Sequence, residues 1–234
     1  MRYREIVLSG PKKNALGRAL MDSTRHAIED AGGAPLLLRG EGGALSAGLD
    51  IGEVCSLDEG GLVGFLGALD DLIRALYTYP GPTVACVDGH AIAGGCVLAL
   101  ACDVRIAEDA PAIKIGLNET ANGLVYPPRV LALVRARVPA GAVDRVVLEA
   151  GLYPPRQALA LGLVDEVVSG ARAAAHARAT ALAGHPQDAY ARNKHALRGD
   201  LLVPEEEERR FVQETIPLWA SAETKERLAR ALAR

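Results

Sequence analysis

Aromatic side chains are scarce in this chain of 234 residues: they make up 4% of it, with one tryptophan and two phenylalanines. A core must then be built from Ala, Val, Leu and Ile, since apolar residues still form 50% of the sequence, and 25 glycines let neighbouring elements approach closely. That composition suits stacked layers of helix and strand. Cysteine is also sparse. Cys55, Cys86, Cys96 and Cys102 form no C-x-x-C pair and sit among apolar neighbours, so they read as reduced core residues rather than metal ligands. His26, His176, His185 and His195 fall in polar, helix-like stretches with no metal-ligand spacing, and no metal site is expected.

Charge of one sign is missing as well. With 26 basic and 29 acidic residues spread along the chain, there is no electrostatic footprint for nucleic acid or an anionic membrane surface. No apolar run reaches the roughly 18 to 20 residues that span a bilayer, and "MRYREIVLSG" lacks the long apolar centre of a signal peptide. The expectation is a soluble, cytoplasmic protein with neither nucleic acid nor membrane as partner.

What is present alternates. "REIVLS" reads as a strand, "GRALMDSTRHAIEDAG" as an amphipathic helix closed by glycine, and "APLLLRG" as a fully buried strand. Helix "LVGFLGALDDLIRALYTYP", buried strand "PTVACVDG" and helix "GGCVLALACD" repeat the order, and short β segments follow in "VRIAED" and "APAIKIG". Buried strands separated by helices predict a layered α/β arrangement with mostly parallel strands and right-handed crossovers. After Tyr126 the pattern is helical apart from "GLVDEVV", with prolines at segment starts. The reading is an α/β core over 1–170 and a helical region over 171–234. The run Glu205 to Arg210 follows Pro204 and reads as a solvated helix start.

Two stretches share a design: Gly40 to Ile51, "GEGGALSAGLDI", and Asp88 to Leu100, "DGHAIAGGCVLAL", each run from a buried strand through small residues into a helix. Helix N-termini leave N–H donors without intrahelical partners, and small residues let an anionic oxygen reach them. Facing each other, two such ends would make an oxyanion hole. Alone, either is equally a tight packing turn. Neither has the spacing of a phosphate-binding or dinucleotide loop.

"LSAGLDI" and "VDGHAIAGGCVLALACDVRIAED" resemble, in order, the two signatures of the crotonase (enoyl-CoA hydratase/isomerase) superfamily, and "GPKKNALG" is similar to its early segment near bound CoA. The resemblance implies a spiral of β-β-α units with C-terminal helices that assemble trimers or dimers of trimers. It also implies acyl-CoA thioester substrates with no metal or redox cofactor, and an enolate oxygen held by two backbone N–H groups, carried over to Ala47 and Gly94. Lys13, Ala15, Ser46, Gly48, Leu49, Asp50, Ile51 and Gly95 become substrate-binding positions on the same ground.

Preorganised N–H donors make thioester α-protons removable, but moving the proton takes a side chain. Hydratases of the superfamily use two glutamates. Here the first position aligns with Val97, and the second with Glu119 in "IGLNET". A lone carboxylate can still shift a double bond, taking a proton from C2 and returning it at C4. The Δ3,Δ2-enoyl-CoA isomerases of the superfamily are similar in this asymmetry, which makes Glu119 the implied proton shuttle, its pKa raised by apolar surroundings. Read without the resemblance, Glu119 between turn-prone Asn118 and Thr120 is equally a turn residue. Hydration, thioester hydrolysis, decarboxylation and a non-catalytic CoA-binding role stay open. His90 reads as structural and Tyr126 as a lining residue of an acyl pocket. Leu45 stands where the family usually has an aromatic, and "ANGLVYPP" departs from the isomerase pattern.

Overall fold

The computed structural model describes residues 3–232. After β1 (Arg4–Leu8) and the helix Arg18–Glu29, the chain repeats one unit, a long buried strand, a short strand, then helix or loop. The pairs are β2 (Leu36–Gly40) with β3 (Ala44–Ser46), β4 (Thr83–Val87) with β5 (His90–Ile92), and β6 (Val104–Glu108) with β7 (Ile115–Gly116). The last strand, β8 (Glu166–Val168), stands alone. The first strands of each pair join β1 and β8 in a five-stranded sheet ordered β1-β2-β4-β6-β8, and the second strands form a three-stranded sheet ordered β3-β5-β7. Every pairing within both sheets is parallel.

Why "PLLLRG" carries no polar alternation is visible in the layers. Leu36 and Leu38 face the main core, whereas Leu37, with Val84, Cys86 and Ile106, faces the helix Ala171–Leu182. A strand covered on both sides needs apolar residues at every position. That helix presents Ala171, Ala175 and Ala179 to the sheet, and their four-residue spacing with small side chains brings its axis close. Main-core volume comes chiefly from the helix Glu59–Tyr77, whose Leu62, Phe65, Leu66, Leu69, Leu72, Ile73 and Leu76 form one apolar stripe. Asp58 caps it by accepting from the Gly61 N–H at 2.8 Å.

The helices after residue 170 are tied to this core rather than set apart from it. Asp103, at the start of β6, accepts from the Thr83 N–H at 2.8 Å and the Tyr190 hydroxyl at 2.7 Å. Its other carboxylate oxygen lies 2.9 Å from Lys194 Nζ and 2.8 Å from Arg198 Nη1. These anchors fix the helix Gln187–Arg198 against the edges of β4 and β6. The acidic run at Glu205 does begin a helix, Glu205–Arg210, where Glu208 meets Arg129 at 3.1 Å. Among the described residues, no helix is long and apolar enough to cross a membrane.

Candidate active site

Because β3 and β5 pair in parallel, the turns that leave them lie side by side. β3 runs into Ala47, Gly48 and Leu49. β5 runs into Ala93 and the helix Gly94–Ala101. Gly48 has φ +96°, and a Cβ there would approach the Ala93 Cβ at 2.9 Å and the Ile92 carbonyl oxygen at 3.1 Å, so only glycine fits the crossing. Ala93 takes φ 50° and ψ −120°, a sparsely populated conformation that turns the chain sharply into the helix and costs of order 1–3 kcal/mol. Strain of that kind is retained where the surrounding structure holds it.

The turns leave specific donors open. Leu49 and Gly94 N–H groups make no hydrogen bond among the described residues. Ala47 is different: its N–H donates to the Lys13 carbonyl oxygen at 3.0 Å. Ala47, expected as the donor beside Gly94, lines the cavity, and its N–H is paired within the fold in this structure. The reason lies in the segment Lys12, Lys13 and Asn14, which all take positive φ, between 52° and 58°. Asn14 holds this left-handed turn by donating from Nδ2 to the carbonyl oxygens of Glu41 and Ala44, both at 2.9 Å. The turn thereby aims the Lys13 carbonyl at Ala47. Two residues on, the Leu49 N–H makes no hydrogen bond among the described residues.

Glu119 follows β7 and opens the short helical turn Thr120–Asn122, which Gly123 ends with φ +73°. Its carboxyl enters a cavity of about 200 Å³ shared with Ala47, Leu49, Ile92, Ala93 and Asn118. Oε2 is buried and has no hydrogen-bond partner. Burial raises the Glu119 pKa to about 7, against the opposing pull of its own N–H, the Tyr126 hydroxyl and the Asn118 N–H. Tyr126 Oη is likewise buried and unpartnered, so it stands near the carboxyl without bonding to it. Burial first, and the Glu119 charge second, push the Tyr126 pKa upward, which keeps the phenol protonated.

The other positions named from sequence divide into wall and scaffold. Leu49, Ile51 and Ala47 line the cavity. Ser46 is fully buried and accepts from the Gly48 N–H at 3.1 Å, holding the turn from behind. Asp50 caps the helix Ile51–Ser56, accepting from Gly52 N at 2.9 Å and Glu53 N at 3.2 Å, and pairs with Lys12 at 2.8 Å. Gly95 packs on the Ser46 backbone, Ala15 is buried, and Lys13 acts through its carbonyl while its side chain is exposed. Val97 is 1% exposed within the main core. His90 accepts from the Lys114 N–H at 3.0 Å through Nδ1, as a structural residue would.

A family described as enoyl-CoA hydratase/isomerase matches residues 4–226. The chain belongs to that family. Among its relatives, human mitochondrial enoyl-CoA delta isomerase 1 is 37% identical over 126 residues, 54% of this chain and 42% of the relative, so in sequence the chain spans less than half of that protein. A putative enoyl-CoA hydratase of Thermus thermophilus is 34% identical over 190 residues, 75% of this chain and 72% of the relative. The crystal structure of human mitochondrial delta3-delta2-enoyl-CoA isomerase superposes with a TM-score of 0.87 at 26% identity, covering 98% of this chain and 93% of that one. Hydratases and isomerases of the family therefore share this architecture.

Several of the cavity's walls are not marked in the sequence. Ile92 and Ala93 sat inside a quoted motif and could have been named from it. Asn122, Leu124 and Leu228 also line the cavity, and Leu228 comes from a helix more than 100 residues from Glu119 in sequence, where no motif marks it.

Proposed function

We propose that this protein is an enoyl-CoA isomerase, moving a double bond from C3 to C2 of an acyl-CoA thioester. The observation that carries the reading is the Glu119 carboxyl, whose Oε2 is buried and unpartnered in a cavity that Ala47, Leu49 and Ala93 also line. The thioester oxygen accepts from the Leu49 and Gly94 N–H groups. Glu119, deprotonated, takes a proton from C2, and the C–H pair becomes a dienolate whose charge rests on that oxygen. The acid then returns the proton to C4, restoring the carbonyl and leaving the double bond between C2 and C3. One carboxylate serves both steps because the planar dienolate presents both carbons to it.

A second reading, hydration, draws on Tyr126, whose hydroxyl stands near Glu119. Glu119 would activate water and Tyr126 would deliver the proton. Against it stands the raised proton affinity of Tyr126, which makes it a poor acid, and the apolar Val97 where hydratases carry a second glutamate. Purified protein supplied with a 3-enoyl-CoA and a 2-enoyl-CoA decides between them. Isomerisation leaves the mass unchanged, hydration adds one water, and absence of both with either thioester would sink the whole proposal. We also propose assembly through the C-terminal helices into a trimer or a dimer of trimers, which sedimentation velocity tests.

A further inference from the structure

Three side chains that line the cavity beside Glu119 cannot hydrogen-bond: Ile51, Leu124, 7% exposed, and Leu228, 1% exposed. Leu228 belongs to the helix Ala222–Leu232, which packs against the helix Ile51–Ser56 and the Thr120–Asn122 turn. The amide-bearing arm of CoA would lose hydrogen bonds in such a pocket, whereas a hydrocarbon chain loses none. This wall of the cavity suits the acyl tail.

The wall is held rigidly. Lys225 Nζ donates to the Leu57 carbonyl oxygen at 2.7 Å, and the Lys225 carbonyl oxygen lies 3.8 Å from Cys55 Sγ. Arg227 lies over Gly123, where any side chain would collide with its guanidinium. Ser221 begins the helix by accepting from the Thr224 N–H at 3.3 Å. Leu228 is thus fixed between anchors on both sides.

The cavity, of about 200 Å³, thus has an apolar wall that includes Leu228. We infer that Leu228 sets the acyl-chain length that this enzyme accepts. The inference rests on the reading of the cavity as an acyl-CoA site.

Saturated acyl-CoA thioesters test it apart from the reaction, because they bind without turning over. Butyryl-, hexanoyl-, octanoyl- and decanoyl-CoA are titrated calorimetrically into the full chain. Affinity is expected to fall at least about tenfold at one step of this length series. Leu228→Ala is expected to move that step to a longer chain, and Leu228→Phe to a shorter one. Emptying a buried leucine also destabilises the fold, so Leu228→Phe and Leu228→Val, checked by circular dichroism, carry the test if Leu228→Ala does not fold. Equal affinity for all four thioesters, or a length profile unmoved in the folded variants, overturns the inference. A length profile as expected in a protein that isomerises nothing would overturn the proposed reaction and leave the pocket assignment standing; no binding of any acyl-CoA overturns both.

Discussion

The Ala47 N–H donates to the Lys13 carbonyl oxygen at 3.0 Å, while the Leu49 N–H, two residues on, makes no hydrogen bond among the described residues. Replacing the Leu49 peptide N–H with an ester oxygen by semisynthesis removes the free donor alone. The expected loss is about 10²–10³ in kcat, with substrate affinity little changed. The same replacement at Ala47 deletes a bond internal to the fold, and is expected to lower the melting temperature more than it lowers kcat at a temperature where the protein is folded. Equal kcat losses at both positions would overturn the assignment.

Glu119 must be ionised to take a proton, and its pKa lies at about 7. Isomerase kcat/KM is expected to rise about tenfold per pH unit up to that value and then level off. Glu119→Gln is expected to lower kcat by about 10²–10⁴. A pH profile flat from 5 to 9, measured in the native protein, would exclude Glu119 as the base.

Stability should follow the opposite slope. Burial raises the folded pKa to about 7 from an ordinary value of 4.5, so the folded protein binds the Glu119 proton more tightly than the unfolded chain does. The stabilising contribution is complete below 4.5 and is lost as the pH rises through about 7. Denaturant midpoints of the native protein should therefore fall more between pH 5 and 8 than those of Glu119→Gln. Parallel midpoint curves for the two proteins would contradict the burial of this charge.

Gly48→Ala places a Cβ at φ +96° and 2.9 Å from the Ala93 Cβ. The expected cost is about 1–3 kcal/mol in denaturant unfolding, together with a loss of activity beyond that of a merely destabilised fold, because both donor-bearing turns shift. A fully active Gly48→Ala protein would show that the crossing is looser than it stands here.

Asp103→Ala leaves the buried Lys194 and Arg198 without their carboxylate. The expected destabilisation is about 3–5 kcal/mol, and adding Lys194→Met should recover part of it by removing an unpaired buried charge. Hydrogen exchange should accelerate first in the helix Gln187–Arg198, which those bonds anchor. Uniform acceleration along the whole chain would mean that the anchor is not local.

Much of the architecture was legible because it depends on local chemistry. Leu36 to Leu38 announce a strand buried on both faces, and the runs through Gly48 and Gly94 announce tight turns into helices. The segment read as "APAIKIG" shrank to β7 at Ile115–Gly116, since only those residues find a partner strand. Glu119 could be picked out by motif, but its neighbours in sequence said nothing of its proton affinity.

What the sequence determined by itself is the order of strands and helices, the glycine turns and the place of one acid, all set by short-range preferences and quoted motifs. What only the tertiary structure decided is which groups are left over. Ala47 loses its free N–H to Lys13, Asp50 spends its carboxylate on a helix cap, and Leu228 arrives from the far end of the chain to line the cavity. Each depends on hydrogen-bond partners or packing neighbours distant in sequence, and no local pattern encodes whether a donor will find a partner or a pocket will find a wall.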